Sequence, residues 1–122
     1  MKSLSIESFH TVLFCCRWDA CVAFYQGVLG FPVVDQKPGF VEFEVTPCSR
    51  IGLIKSSGKA VSKKNGSSLV LSFRIGNIEE IHKILLMKCG KTSDVKQHPW
   101  GARVFEVRDP EGRRLEFWAP QL

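Results

Sequence analysis

No apolar run in this chain is long enough to cross a bilayer. The first, Val12 to Cys16, stops at Arg17 and Asp19, far short of a membrane helix or of the hydrophobic region of a secretory signal. The five cysteines, Cys15, Cys16, Cys21, Cys48 and Cys89, are odd in number and include no Cys-x-x-Cys pair. That argues against a disulfide framework or a structural zinc site and for small, reduced core residues, so no membrane association and a cytoplasmic location are expected. Aromatic residues are missing from around Lys55, Lys59, Lys63 and Lys64. Without rings among the lysines there is no base-stacking platform, and nucleic acid is not an expected partner.

The 122 residues, 44% hydrophobic and 24% charged, suit one soluble domain over 1–122. The formal charge of +5 would favour an anionic ligand, but much of the excess sits in a Ser/Gly/Lys-rich linker at 56–68 and its margins, where lysines are solvated. That linker separates a first module, 1–55, from a second, 69–122.

The two modules share a plan. In the first, 9–16 is rich in apolar, β-branched and aromatic residues and reads as a strand; a helix runs from about Asp19 through Val28 and closes at Gly30; strands follow at 31–35, 40–45 and 50–54. The second repeats the order with a strand at 69–75, a helix over 78–88 ending at Gly90, a short strand at 92–95, and strands at 102–108 and 113–118. Within the second helix Ile81, Ile84, Leu85 and Met87 are available for burial. Phe-Glu-Val occurs at 43–45 and at 105–107, an offset of 62; Ile-Gly-Leu at 51–53 matches Leu-Glu-Phe at 115–117, an offset of 64; the ends of the first strands, Cys16 and Gly76, are offset by 60. Near-constant offsets indicate an internal repeat.

Strand alternation then assigns faces. Thr11, Leu13, Cys15, Phe43, Val45, Phe105, Val107, Leu115 and Phe117 face the helices. His10, Val12, Phe14, Cys16, Glu42, Glu44, Val104, Glu106, Arg114, Glu116 and Trp118 face away. A sheet covered on one side, with polar and aromatic groups on the other, needs a use for its second face, and a curved sheet lining a ligand cleft supplies one.

Several residues keep two readings. His10 is either a ligand or base, or a histidine hydrogen-bonded on a sheet face. Glu116 stands in an apolar strand, so it either holds a metal or pairs with Arg114, Arg103 or Arg74. Phe14, Trp100 and Trp118 line an aromatic pocket for a planar ligand, or serve packing or a dimer interface. Tyr25 reads as a helix anchor, His82 as a surface residue, and Asp109-Pro110-Glu111-Gly112 as a structural turn.

His10, then Phe24-Tyr25-Gln26-Gly27-Val28-Leu29-Gly30-Phe31, then Trp100-Gly101-Ala102-Arg103, Asp109-Pro110-Glu111-Gly112 and Leu115-Glu116-Phe117, together resemble the vicinal oxygen chelate superfamily. That group includes glyoxalase I, extradiol dioxygenases, fosfomycin-resistance transferases and bleomycin-resistance proteins. The resemblance covers almost the whole chain, and Pro99-Trp100-Gly101 looks most like the antibiotic-resistance type. It implies an α+β fold of two tandem βαβββ modules forming an open U-shaped sheet with helices outside, and a divalent metal held by a histidine on the first strand and a glutamate on the last strand of each module. Carried over, those positions fall on His10, Glu116, Gly52 and Val70. The last two cannot ligate through a side chain, which leaves zinc, nickel, iron or manganese with an incomplete set unless Glu44, Glu106 or His98 completes it.

The reading that follows is a homodimeric protein that binds or sequesters a small organic ligand, with Phe14, Trp100, Arg103 and Trp118 as ligand-binding residues. The alternative is a metal-dependent lyase, isomerase or dioxygenase with His10 and Glu116 as metal ligands and Glu106 or Glu44 as the catalytic base.

Overall fold

The computed structural model describes residues 4–56 and 69–121; most of the linker expected at 56–68 lies outside the described residues. The chain divides into two compact units, Met1–Lys59 and Ala60–Leu122. Each is α+β, a four-stranded sheet with helical structure on one face, in the repeated order βαβββ.

In the first unit β1 (His10–Cys15) is followed by α1 (Trp18–Ala23), then by β2 (Val33–Lys37), β3 (Phe40–Thr46) and β4 (Ser49–Lys55), with sheet order β1-β4-β3-β2. In the second, β5 (Val70–Arg74), α2 (Ile78–Cys89), β6 (Lys96–His98), β7 (Ala102–Arg108) and β8 (Arg114–Pro120) give the order β5-β8-β7-β6. The first strand of each unit pairs in parallel with the last, and the other pairs are antiparallel. Shared order and shared strand directions are what a duplicated module requires.

The core lies between each sheet and its helices. Leu13, Cys15, Val41, Phe43, Ile51 and Leu53 are buried in the first unit with Cys21, Phe24 and Tyr25 from the helical segment. Tyr25 is fully buried, with its ring edge-on to Phe24 and stacked with Phe43 at 6.2 Å, which is the anchoring role its position suggested. In the second unit Ile78 and Leu85 of α2 pack towards Phe105, Val107, Leu115 and Phe117, with the rings of Phe73, Phe117 and Phe105 stacked in succession.

Local chemistry displaces several expected boundaries. The helix expected over 19–28 is α-helical only to Ala23; Phe24–Val28 is a π-helical turn, with the Leu29 amide donating to the Phe24 carbonyl. The Phe31 amide then donates to the Tyr25 carbonyl, and Pro32 has no N–H to give a ladder, so β2 begins at Val33 rather than at 31. The strand expected at 92–95 lies instead at Lys96–His98. Ser93 is tied to Glu106, but the Glu106 amide donates to the Ser93 hydroxyl, so a side chain replaces one ladder carbonyl.

At the start of α2 the Asn77 side chain accepts from the Glu80 amide, and Gly90 closes the helix as expected, at φ +72°. Its buried side is narrower than expected, because Met87 is 79% exposed and Ile84 also faces outward. His82, expected at the surface, is half-buried: its Nε2 lies 2.9 Å from both the Ser93 carbonyl and the Thr92 hydroxyl, and its ring stands edge-on to Phe105. The final turn is organised by Asp109, which accepts from the Glu111 and Arg113 amides and from the Arg113 guanidinium while buried.

Candidate functional site: the helix-free sheet faces

The helix-free face of each sheet consists of three rows of side chains running across the strands. In the first unit the rows are His10, Arg50, Glu44; then Val12, Gly52, Glu42; then Phe14, Ile54, Phe40, Lys37. In the second they are Val70, Arg114, Arg108; then Ser72, Glu116, Glu106; then Arg74, Trp118, Val104, Lys96. These registers make Val70 the counterpart of His10 and Gly52 the counterpart of Glu116. They also show that Glu42, not Glu44, corresponds to Glu106. The two Phe-Glu-Val triplets are therefore out of phase by two residues, which preserves the face but not the row.

His10 lies at the start of β1, its Nδ1 2.7 Å from Glu42 and its Nε2 3.1 Å from the Ser8 hydroxyl. Glu42 also accepts from Arg50 at 3.3 Å. The His10 hydrogen bond, opposed by partial burial and reinforced by Arg50, holds the Glu42 carboxyl below the usual carboxylate range. In the second unit Glu106 takes the same place, flanked by Arg114 and Arg108, and its hydrogen bond and charge raise the Arg114 guanidinium above its ordinary value. An arginine on the last strand reaching diagonally to a glutamate on its neighbour thus occurs in both modules. Glu116 accepts from the Ser72 hydroxyl at 2.6 Å.

Gly52 marks where the copies diverge. A Cβ there would stand 3.2 Å from Cε1 of Phe40, whose ring leans over the place that Glu116 occupies in the other copy. Val104 is the counterpart of Phe40, and its smaller side chain leaves Glu116 room.

The remaining residues singled out by sequence lie as follows. Phe14 is 55% exposed in the third row of the first unit; Glu44 is half-buried in its first row. Trp118 is half-buried, with the Arg74 guanidinium 5.3 Å from its ring centre. Trp100 lies beyond the sheet in the loop after β6, where it stacks on His98 and donates its indole N–H to His98 Nε2. Arg103 does not join them. Alternation along β7 turns it to the helix side, where it pairs with Glu79 of α2 and holds that carboxyl low. Glu42, Arg50, Ser72, Arg74 and Lys96 were not singled out as site residues, although alternation already put Glu42 on this face and an offset of 64 links Arg50 to Arg114.

A divalent metal does not fit this donor set. A carboxylate on Nδ1, as Glu42 is on His10, is the arrangement that orients a metal-binding imidazole, but a catalytic site needs about three protein ligands. Among the described residues no group of three or more His, Cys, Asp or Glu side chains is placed to hold a metal ion.

Residues 8–117 match the glyoxalase/bleomycin resistance protein/dioxygenase superfamily, and the chain belongs to that family. Its fold is shared by a glyoxalase/bleomycin resistance protein/dioxygenase from Nocardioides, 21% identical over 99% of this chain and 87% of that one, with a TM-score of 0.80. A lactoylglutathione lyase from Agrobacterium tumefaciens is 20% identical over 96% and 95% of the two chains, with a TM-score of 0.74. The bleomycin-binding protein of Streptomyces verticillus, solved with copper(II)-bleomycin, is 18% identical over 98% and 100%, with a TM-score of 0.70. Comparison with curated proteins gives no match.

Proposed function

We propose that this protein binds and sequesters a small organic molecule on the helix-free sheet faces and needs no divalent metal to do so. The observation that carries this reading is the state of the four inherited ligand positions. Val70 is the register counterpart of His10, and Gly52 that of Glu116, so half the set is gone, and at Gly52 the space is taken by an aromatic ring. The chelation chemistry of the superfamily loses its main source of stabilisation under those conditions. The same faces keep what binding requires, fixed ion pairs beside Phe14 and Trp118. The bleomycin-binding protein of Streptomyces verticillus gives a precedent for a binder on this fold.

Titrating isotope-labelled, chelator-treated protein with small aromatic and polar fragments tests this reading by NMR. Shifts are expected on β1, β3, β4, β5, β7 and β8. Fragment binding that appears only after zinc, nickel, iron or manganese is added would overturn it.

We further propose a cytoplasmic homodimer. No helix among the described residues is long and apolar enough to cross a membrane, and Leu4, Ile6 and Phe9 offer a second copy an apolar strip ahead of β1. Sedimentation at micromolar concentration should give twice the chain mass, and Phe9→Ser should lower it to that of one chain.

A further inference from the structure

The third row of the second unit differs from its counterpart in one respect that bears on ligand chemistry. Across β5, β8, β7 and β6 it reads Arg74, Trp118, Val104, Lys96. A cation stands at each end of an apolar centre. The corresponding row in the first unit reads Phe14, Ile54, Phe40, Lys37. There the single cation is already used: Lys37 is 3.0 Å from Asp35 and lies over the Phe40 ring. Among the described residues neither Arg74 nor Lys96 has an ion-pair partner.

Nearby charges do not neutralise the row either. Glu106, one row away, is engaged by Arg114 and Arg108, while Glu116 keeps its charge but accepts from Ser72, acts on Arg114 and makes no ion pair with Arg74. Arg74 is also exposed. A guanidinium with no carboxylate, standing over an indole, presents planar N–H donors suited to a carboxylate beside a π-surface suited to a ring. Strands about 4.8 Å apart put the ends of the row roughly 14 Å from each other, enough for a bicyclic ring and one acidic group.

We infer that the row Arg74, Trp118, Val104, Lys96 is a subsite for a planar aromatic carboxylate. This rests on the small-molecule reading above and specifies the ligand class for one of its faces. Glu116 adds a restriction, since a second negative charge on the ligand would be repelled from the adjoining row.

Naphthoate is a suitable probe and its uncharged amide the control, with binding followed through the Trp118 indole N–H signal, assigned with Trp118→Phe. The expected result is that naphthoate shifts this signal and binds at least about tenfold more tightly than naphthamide, the difference expected of a charge-assisted hydrogen bond. Arg74→Gln should remove most of this preference while leaving amide binding unchanged. Lys96→Gln, at the other end of the row, should weaken naphthoate alone. Equal binding of acid and amide, or an undiminished preference in both variants, would overturn the charge assignment while the small-molecule reading stands. Absence of any Trp118 shift with naphthoate would overturn the subsite itself, and the wider fragment titration reports separately on the underlying reading.

Discussion

Glu42 carries the charge balance of the first unit's face, because it accepts from both His10 and Arg50. Its carboxyl is held low in the folded state, so ionised Glu42 contributes stability above its unfolded value of about 4.3, and that contribution disappears as pH falls through the depressed folded value. Urea unfolding of wild type and Glu42→Gln should therefore differ at pH near 6 and converge at the acid end. A gap that persists at low pH would contradict the pairing. Asp109 should be costlier to lose, since Asp109→Ala strands two half-buried backbone amides and the Arg113 guanidinium, about 3 kcal/mol by denaturant titration. Gly52→Ala places a methyl against the Phe40 ring and should cost about 1–2 kcal/mol. Adding Phe40→Leu should recover part of that loss, so the two changes combine non-additively in the same titration.

Elements were legible where one physical pattern dominated. Alternation placed His10, Glu42, Glu106 and Trp118 on the helix-free side, because only one face of each sheet is buried and the period of two leaves no other choice. The end of the second helix was marked by Gly90, whose capping chemistry is local; at its start the Asn77 side chain caps the Glu80 amide, and Asn77→Ala should cost about 1 kcal/mol of stability in urea denaturation. Boundaries failed where bonds outside the regular helix and ladder patterns decided them. The π-helical turn at Phe24–Val28 and the loss of Phe31 from β2 follow from the Leu29-to-Phe24 and Phe31-to-Tyr25 backbone bonds, and the role of His82 from its contacts with Thr92 and Ser93 beyond the helix. The repeat was visible, but matching Phe-Glu-Val literally set it two residues out of phase, and only the ladder registers align Glu42 with Glu106.

At the scale of the whole molecule, family membership follows from residues 8–117, whereas activity does not, since one scaffold hosts many chemistries. The gaps at Val70 and Gly52 were visible in the sequence, because they are positions of the repeat. The ion pairs that remain were not, because Arg50 and Arg114 reach their glutamates diagonally across strands. Arg103 shares the parity of Phe105 and Val107, so alternation along β7 already pointed it to the helix side, where only the fold shows its partner Glu79. We propose that this member of the superfamily binds its ligand without a metal. Native mass spectrometry of chelator-treated protein, after zinc, nickel, iron and manganese are each offered, combined with thermal melts of the same samples, tests it most directly. Metal-free ligand binding predicts no stoichiometric metal adduct and no rise in melting temperature. One metal ion per chain that raises the melting temperature, and that is lost in both His10→Ala and Glu116→Ala, would contradict it.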